Sequence, residues 1–277
     1  MLKNLKSKND SVQKKANEAE MSFLDHLDVL RKHIVRSLVG IVIIGIVLFV
    51  IINPVFDEFI FAHKDPNFIS YRFFCDYLMI CMNPPELNII TTELAEEFFQ
   101  ALKVSFYGGL IVSFPWVFYQ FWSFVKPGLY DKEQKAARGV VYICSFLFLL
   151  GTCFGYFILA PFAINFLVNY QVSDLVTSTV TLSSYVGYMT MFILPTGILF
   201  QMPLLVYFLS KIGLITPEFM KRYRKHAFVL ILLLSAILTP PDIVTQFLIG
   251  VPVYGMYEAS ILVARVMSKK REKELNS

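Results

Sequence analysis

Long apolar runs separated by short clusters of charge leave this chain few folds to choose from. A helix needs ~20 apolar residues to cross the hydrocarbon core of a bilayer, and several runs here reach that length. The first, Ile34 to Ile52, reads IVRSLVGIVIIGIVLFVII. Further runs cover residues 98–125, 139–159, 185–209, 227–238 and 243–263. They are continuous and show no alternation of period two, which argues against a β-barrel. With 56% hydrophobic and 17% charged residues, the chain is too poorly charged for a soluble domain of its size. The expected class is therefore all-α, a polytopic integral membrane protein with six transmembrane helices.

The charges set the expected orientation. Lys3, Lys6, Lys8, Lys14, Lys15, Arg31 and Lys32 precede the first run; Lys126, Lys132, Lys135 and Arg138 follow the second. Lys211, Lys221, Arg222, Arg224 and Lys225 follow the fourth, and Arg265, Lys269, Lys270, Arg271 and Lys273 end the chain. The alternate loops are nearly bare, with Lys64 and Arg72 in the first. Basic loops stay in the cytoplasm, so both termini are expected on the cytoplasmic side of a multi-pass protein of the cytoplasmic (inner) membrane. Residues 1–21 read as a disordered cytoplasmic tail, 22–265 as the membrane domain and 266–277 as a basic cytoplasmic tail. The polar N-terminal stretch lacks the apolar core of a cleaved signal peptide. The net charge of +4 belongs to these basic loops and indicates no nucleic-acid partner.

Several functions find no support. There is no HExxH, GxSxG or phosphate loop, and His26, His33, His63 and His226 lack ligand spacing, so no enzyme, cofactor or metal site is expected. A small-solute transporter remains the alternative; it would need polar groups converging at mid-membrane and a repeat, and no repeat is visible. Cys75 and Cys81 lie in the first external loop and are expected as free thiols unless the compartment oxidises them.

Local signals refine the picture. Ser22 has the look of a helix cap, followed by Phe23, Leu27, Leu30 and Ile34 on one face, so a short amphipathic helix is expected along the membrane surface before the first span. In the external loop Thr92 reads as an N-cap, with Glu93, Glu96 and Glu97 in the first turns. Pro115 is expected to interrupt span two, and Pro195 and Pro203 span four. Gly151 and Gly155 in span three have the spacing that lets helices approach closely.

At the end of span two the chain reads FPWVFYQFWSFVKPGLYDKE, residues 114–133. This pattern closely resembles the TatC family of the twin-arginine protein translocase. LTPPDIVTQFLIGVPVYGMYE, 238–258, is similar to a second signature of that family, and SFLDHLDVLRKHI, 22–34, to a third. The resemblance implies a membrane receptor that binds twin-arginine signal peptides of folded proteins at its cytoplasmic face. It also implies export driven by the proton-motive force, with TatA/TatB-like single-span partner subunits and a homo-oligomer in the working complex. Glu133 occupies the family's loop glutamate; Phe124, Pro127, Leu129 and Tyr130 occupy neighbouring motif positions.

The chemistry suits the implied role. Paired guanidinium groups seek carboxylates in bidentate geometry at a partly dehydrated interface. Glu133 beside Trp122, Phe124 and Tyr130 would offer that acid with an apolar floor; the ordinary alternative is a loop pair with Lys132 or Arg138. In the N-terminal motif Val29 stands at the family's glutamate position, leaving Asp28 or Asp25 to supply a second carboxylate, with Asp28 preferred. His26, Leu27 and Arg31 complete the expected signal-peptide site, with Arg31 ordering the acids.

Polar residues at membrane depth also stand out. Gln201 replaces a frequent family glutamate and can hydrogen-bond an inserted peptide or helix. Glu258 either joins such a site or pairs with Arg265 or a loop lysine. Pro241, Asp242 and Gln246 are expected to tie a tight external turn or to contact a partner. The fifth run, 227–238, would make only ~18 Å of helix against a ~30 Å core.

Overall fold

The computed structural model describes residues 27–79, 81, 88–125, 137–170, 179–238 and 243–275. It is helical nearly throughout, and among the described residues five helices are long and apolar enough to cross a membrane. The first, α1, runs from Leu27 to Val50 without a break. The expected turn between a surface helix and the span is therefore absent after Leu27. The cause is local: Arg31, Lys32 and His33 continue into Ile34 with no proline, glycine or capping residue to stop the helix. Leu30, His33, Ser37, Gly40, Ile41, Ile44, Gly45 and Leu48 are the half-buried positions, spaced three or four apart, so α1 packs through one narrow seam.

What was expected as an external loop is largely helical. The chain continues through α2 (Ile52–Val55), a π-helical turn at Phe56–Ile60 and a 3-10 turn at Phe61–Lys64, then forms α3 (Ile69–Leu78). The wide turn begins two residues after Pro54, which cannot donate to the helix ladder. Met79 then adopts a left-handed conformation that reverses the chain and brings Cys81 to within a Cα separation of 4.2 Å of Cys75. These two cysteines form a disulfide, which overturns the expectation of free thiols. Six residues of separation carry no sign of that reversal in the sequence.

Strand β1 (Ile89–Ile90) leads to α4 (Glu96–Val125), the second span, which packs antiparallel to α1. Pro115 lies inside α4 without ending it. A side-chain carbon built on Gly109 would lie 3.0 Å from Gly45 Cα, so the two backbones touch where these spans cross. The third span comprises α5 (Ala137–Phe154), a π-helical turn (Gly155–Leu159) and α6 (Ala160–Asn169), ten residues beyond the expected end. The wide turn sits just ahead of Pro161 and absorbs it.

A second short strand, β2 (Val180–Thr181), pairs in parallel with β1, Ile89 opposite Val180. Span four follows as α7 (Leu182–Leu199) and α8 (Met202–Lys211). Its break falls at Phe200 and Gln201, ahead of Pro203, whereas Pro195 stays inside α7. Gly155 allows the spans to meet: a carbon added there would lie 2.7 Å from the Phe192 carbonyl oxygen. Around this contact Leu159, Ala160, Ala163, Tyr185, Val186, Met189 and Phe192 are fully buried and form the core.

The short α9 (Pro217–Arg222) precedes α10 (Arg224–Leu238) and α11 (Ile243–Leu275). With 15 residues, or ~22 Å, α10 remains short for a bilayer. Helix α11 packs along α8 and α10 and carries on through the stretch expected as a tail.

Candidate functional site

The strongest polar feature at the β1–β2 end is Glu96, only 4% exposed. Its Oε2 accepts from Thr92 N at 2.7 Å, Thr92 Oγ1 at 3.2 Å and Glu93 N at 3.3 Å. Its Oε1 accepts from Ser183 N at 2.7 Å. One carboxylate thus satisfies backbone N–H groups in the turn ahead of α4 and at the start of α7. Thr92 donates here and does not cap α4, which corrects the expected N-cap. Nearby, three tyrosine hydroxyls donate to backbone carbonyls of the irregular turns: Tyr156 to Phe59, Tyr185 to Ile60 and Tyr71 to His63. Burial pushes the Tyr71 hydroxyl up to about 12, so it remains a donor. His63 is fully buried, and its Nε2 bonds the Tyr156 carbonyl at 3.0 Å.

The opposite end holds the residues singled out by the sequence. Antiparallel packing of α1 on α4 brings the start of one helix to the end of the other. His33 Nδ1 lies 2.7 Å from Gln120 Oε1, and its ring meets Phe124 edge-on at 6.5 Å. Trp116 Nε1 donates to the Arg36 carbonyl at 3.4 Å. Leu27, Asp28 and Arg31 are exposed on the first turns of α1, beyond this clasp. Asp28 precedes His33 by five residues, ~7.5 Å along the axis, while Phe124 follows Gln120 by one turn. The first turns of α1, with Leu27, Asp28 and Arg31, and the last turn of α4, with Phe124, thus lie at the same end of the molecule. Asp25, His26, Pro127, Leu129, Tyr130 and Glu133 lie outside the described residues, as do Pro241 and Asp242.

The aromatic segment divides by helical face. Phe114, Phe118 and Trp122 turn inward: Phe114 stacks on Phe148 at 3.6 Å, and Trp122 packs between Phe118 and Phe208. Trp122 is 5% exposed, so it cannot form the expected floor for a bound peptide. Trp116, Tyr119 and Phe121 face outward instead. His33 and Gln120 were missed by sequence reasoning, since a histidine and a glutamine 87 residues apart give no local sign of pairing.

The deeper polar residues are engaged within the fold. Gln201 accepts from Cys144 Sγ at 2.8 Å and donates to the Cys144 carbonyl at 3.2 Å, joining span four to span three. Glu258 pairs with Arg224 at 2.7 Å and accepts from Tyr254 at 3.1 Å. The expected Arg265 partner is two turns away on the same helix, ~10 Å along the axis. Gln246 Nε2 donates to the Leu232 carbonyl at 2.9 Å, linking α11 to α10. Among the described residues no group of histidine, cysteine or acidic side chains could hold a metal ion.

Comparison with known proteins yields a consistent set of matches. Residues 25–252 match the family model described as Sec-independent protein translocase protein (TatC). A protein of that name from Blattabacterium sp. subsp. Periplaneta americana is 37% identical over 265 residues, covering 93% of this chain and 100% of the relative. Its namesake from Campylobacter jejuni is 35% identical, over 90% of this chain and 96% of the relative. A crystal structure of the twin-arginine translocase receptor TatC superposes with a TM-score of 0.69 at 30% identity, covering 88% of this chain and 99% of the solved one.

Proposed function

The chain belongs to the TatC family and is a component of a Sec-independent protein translocase, and from that premise we propose that it is the receptor subunit reading twin-arginine signal peptides. The observation that supports this reading is the His33–Gln120 clasp, with Phe124 against the His33 ring: it joins the start of α1, which bears Leu27, Asp28 and Arg31, to the end of α4. The peptide's arginines meet Glu133 and Asp28 or Asp25, and its apolar segment lies along Leu27, Phe124 and the outward aromatics. Charge-assisted bidentate contacts are stronger than neutral ones and distinguish arginine from lysine by shape. His26, Pro127, Leu129 and Tyr130 complete this cytoplasmic edge in the reading, with Arg31 holding the acids in register.

In the same reading both termini lie in the cytoplasm of a cell with an inner membrane. TatA/TatB-like single-span subunits dock on the short α10 and on α11, where the bilayer is thinned, in a complex holding several copies of this chain. Transport draws on the proton-motive force without a proton carrier assigned in this chain. The solute-transporter alternative loses ground because Gln201 is already paired with Cys144.

The test is binding of a labelled twin-arginine peptide, and of its lysine-pair variant, to the purified protein and to Glu133→Gln. Loss of a charge-assisted contact should weaken arginine-peptide binding about 10- to 100-fold. It should also erase the preference over lysine. Equal binding by all four combinations would remove Glu133 as the reader of the signal.

A further inference from the structure

Helix α3 carries a second apolar face that the translocase reading leaves unused. Ser70, Tyr71 and Phe74 are buried, with Phe74 meeting Phe162 of span three edge-on at 4.6 Å. On the other side Ile69, Phe73 and Tyr77 recur every four residues and are 64%, 53% and 76% exposed. Met79, 92% exposed, extends this surface, and the Cys75–Cys81 disulfide ties the chain beyond it back onto the helix. Arg72 and Asp76 are exposed along one flank. Four large apolar groups on three turns are too many to leave in water without cause.

Two observations say what covers them. The first is depth. Helix α3 contacts span three at Phe157, through a stacked Phe68 at 5.9 Å, and at Phe162. Measured from Gly139 along that span, these contacts lie ~27 Å and ~35 Å up the helix, bracketing the far edge of a ~30 Å hydrocarbon core. The second is continuity: Phe157 is itself 38% exposed on the outside of the span, so its surface runs directly into that of α3. We propose that α3 is an interfacial anchor, lying in the lipid head-group boundary with Ile69, Phe73, Tyr77 and Met79 against the acyl chains. Arg72 and Asp76 then face the head groups, the arrangement expected of a helix in the plane of the membrane. Aromatic side chains favour this level of a bilayer. The disulfide holds Met79 at the end of the anchor, and an oxidising outer compartment suits its formation.

The full-length protein, reconstituted in phosphatidylcholine vesicles, provides the test. An environment-sensitive fluorescent amino acid is placed at Phe73, Tyr77 or exposed Asp65, leaving the native cysteines untouched. With acyl-brominated lipid, residues 73 and 77 should lose most of their emission while residue 65 keeps it; aqueous iodide should do the reverse. Iodide quenching at 73 and 77 equal to that at 65 would overturn the proposal. Shielding of 73 and 77 from both quenchers would also overturn it, by placing a protein partner or a second copy on this face. Ile69 serves as a further position should either aromatic substitution prevent folding.

Discussion

Glu96 shows how much of this fold one side chain can hold. Its two oxygens serve donors from separate segments, Thr92 and Glu93 on one side and Ser183 on the other. An amide has a single acceptor oxygen, so Glu96→Gln leaves one of those backbone groups unpaired. The variant should unfold several degrees lower in detergent, while Glu97→Gln at the exposed neighbour changes little; identical melting of the two would contradict this role. His63 makes a pH-dependent contribution. Burial lowers its pKa from the ordinary 6.5, partly offset by hydrogen bonds that the backbone of Tyr156 and of Ile60 accepts. The folded state therefore favours the neutral ring. Its stabilisation is complete above pH 6.5 and is lost as pH falls from there through the lowered folded value. Thermal unfolding should become easier below pH 6.5, and His63→Gln should flatten part of that dependence; an unchanged slope would show that His63 does not contribute. Neither residue stood out in the sequence as it does here. Glu96 read as one of three acids suited to a helix start, because its partner at Ser183 is remote, and His63 read only as one of four histidines without ligand spacing.

At the level of elements, the apolar runs made the long spans legible, because length and hydropathy alone decide whether a helix can cross a bilayer. Their ends were less legible. The third span passes Pro161 because a π-helical turn precedes it, and span four breaks at Phe200 and Gln201, not at Pro195. Helix α3 was hidden since its buried and exposed faces are both apolar. The disulfide depends on a chain reversal at Met79 that no periodicity announces. The short α10 has a direct consequence. At ~22 Å it mismatches the hydrocarbon core, and tilt, local thinning or a docked partner must absorb the difference. Inserting one turn of leucines into α10 should reduce export severalfold in a cell-based transport assay while leaving signal-peptide binding intact. Normal export would show that the short helix is not needed for transport.

Taken whole, the molecule has two differently built ends. At one, Glu96, the tyrosine hydroxyls and the β1–β2 pairing tie the span ends and the turns between them together, and the disulfide closes the chain after α3. At the other, α1 and α4 meet through His33, Gln120 and Phe124 with Asp28 and Arg31 exposed beyond them. The motifs at 22–34 and 114–133 pointed to this second end, yet their juxtaposition comes only from antiparallel packing of α1 on α4. Packing also reassigned Trp122 from the peptide floor to the core. In the proposed function both helices form one recognition edge. It is tested most directly by placing a photoreactive amino acid at Asp28, at Phe124 and, at the opposite end, at Ile90, then adding a twin-arginine signal peptide. Cross-links are expected from 28 and 124 to the same peptide, both reduced by the lysine-pair variant, and none from 90. Cross-linking from 124 alone, or equal yields with the lysine pair, would contradict a shared recognition edge.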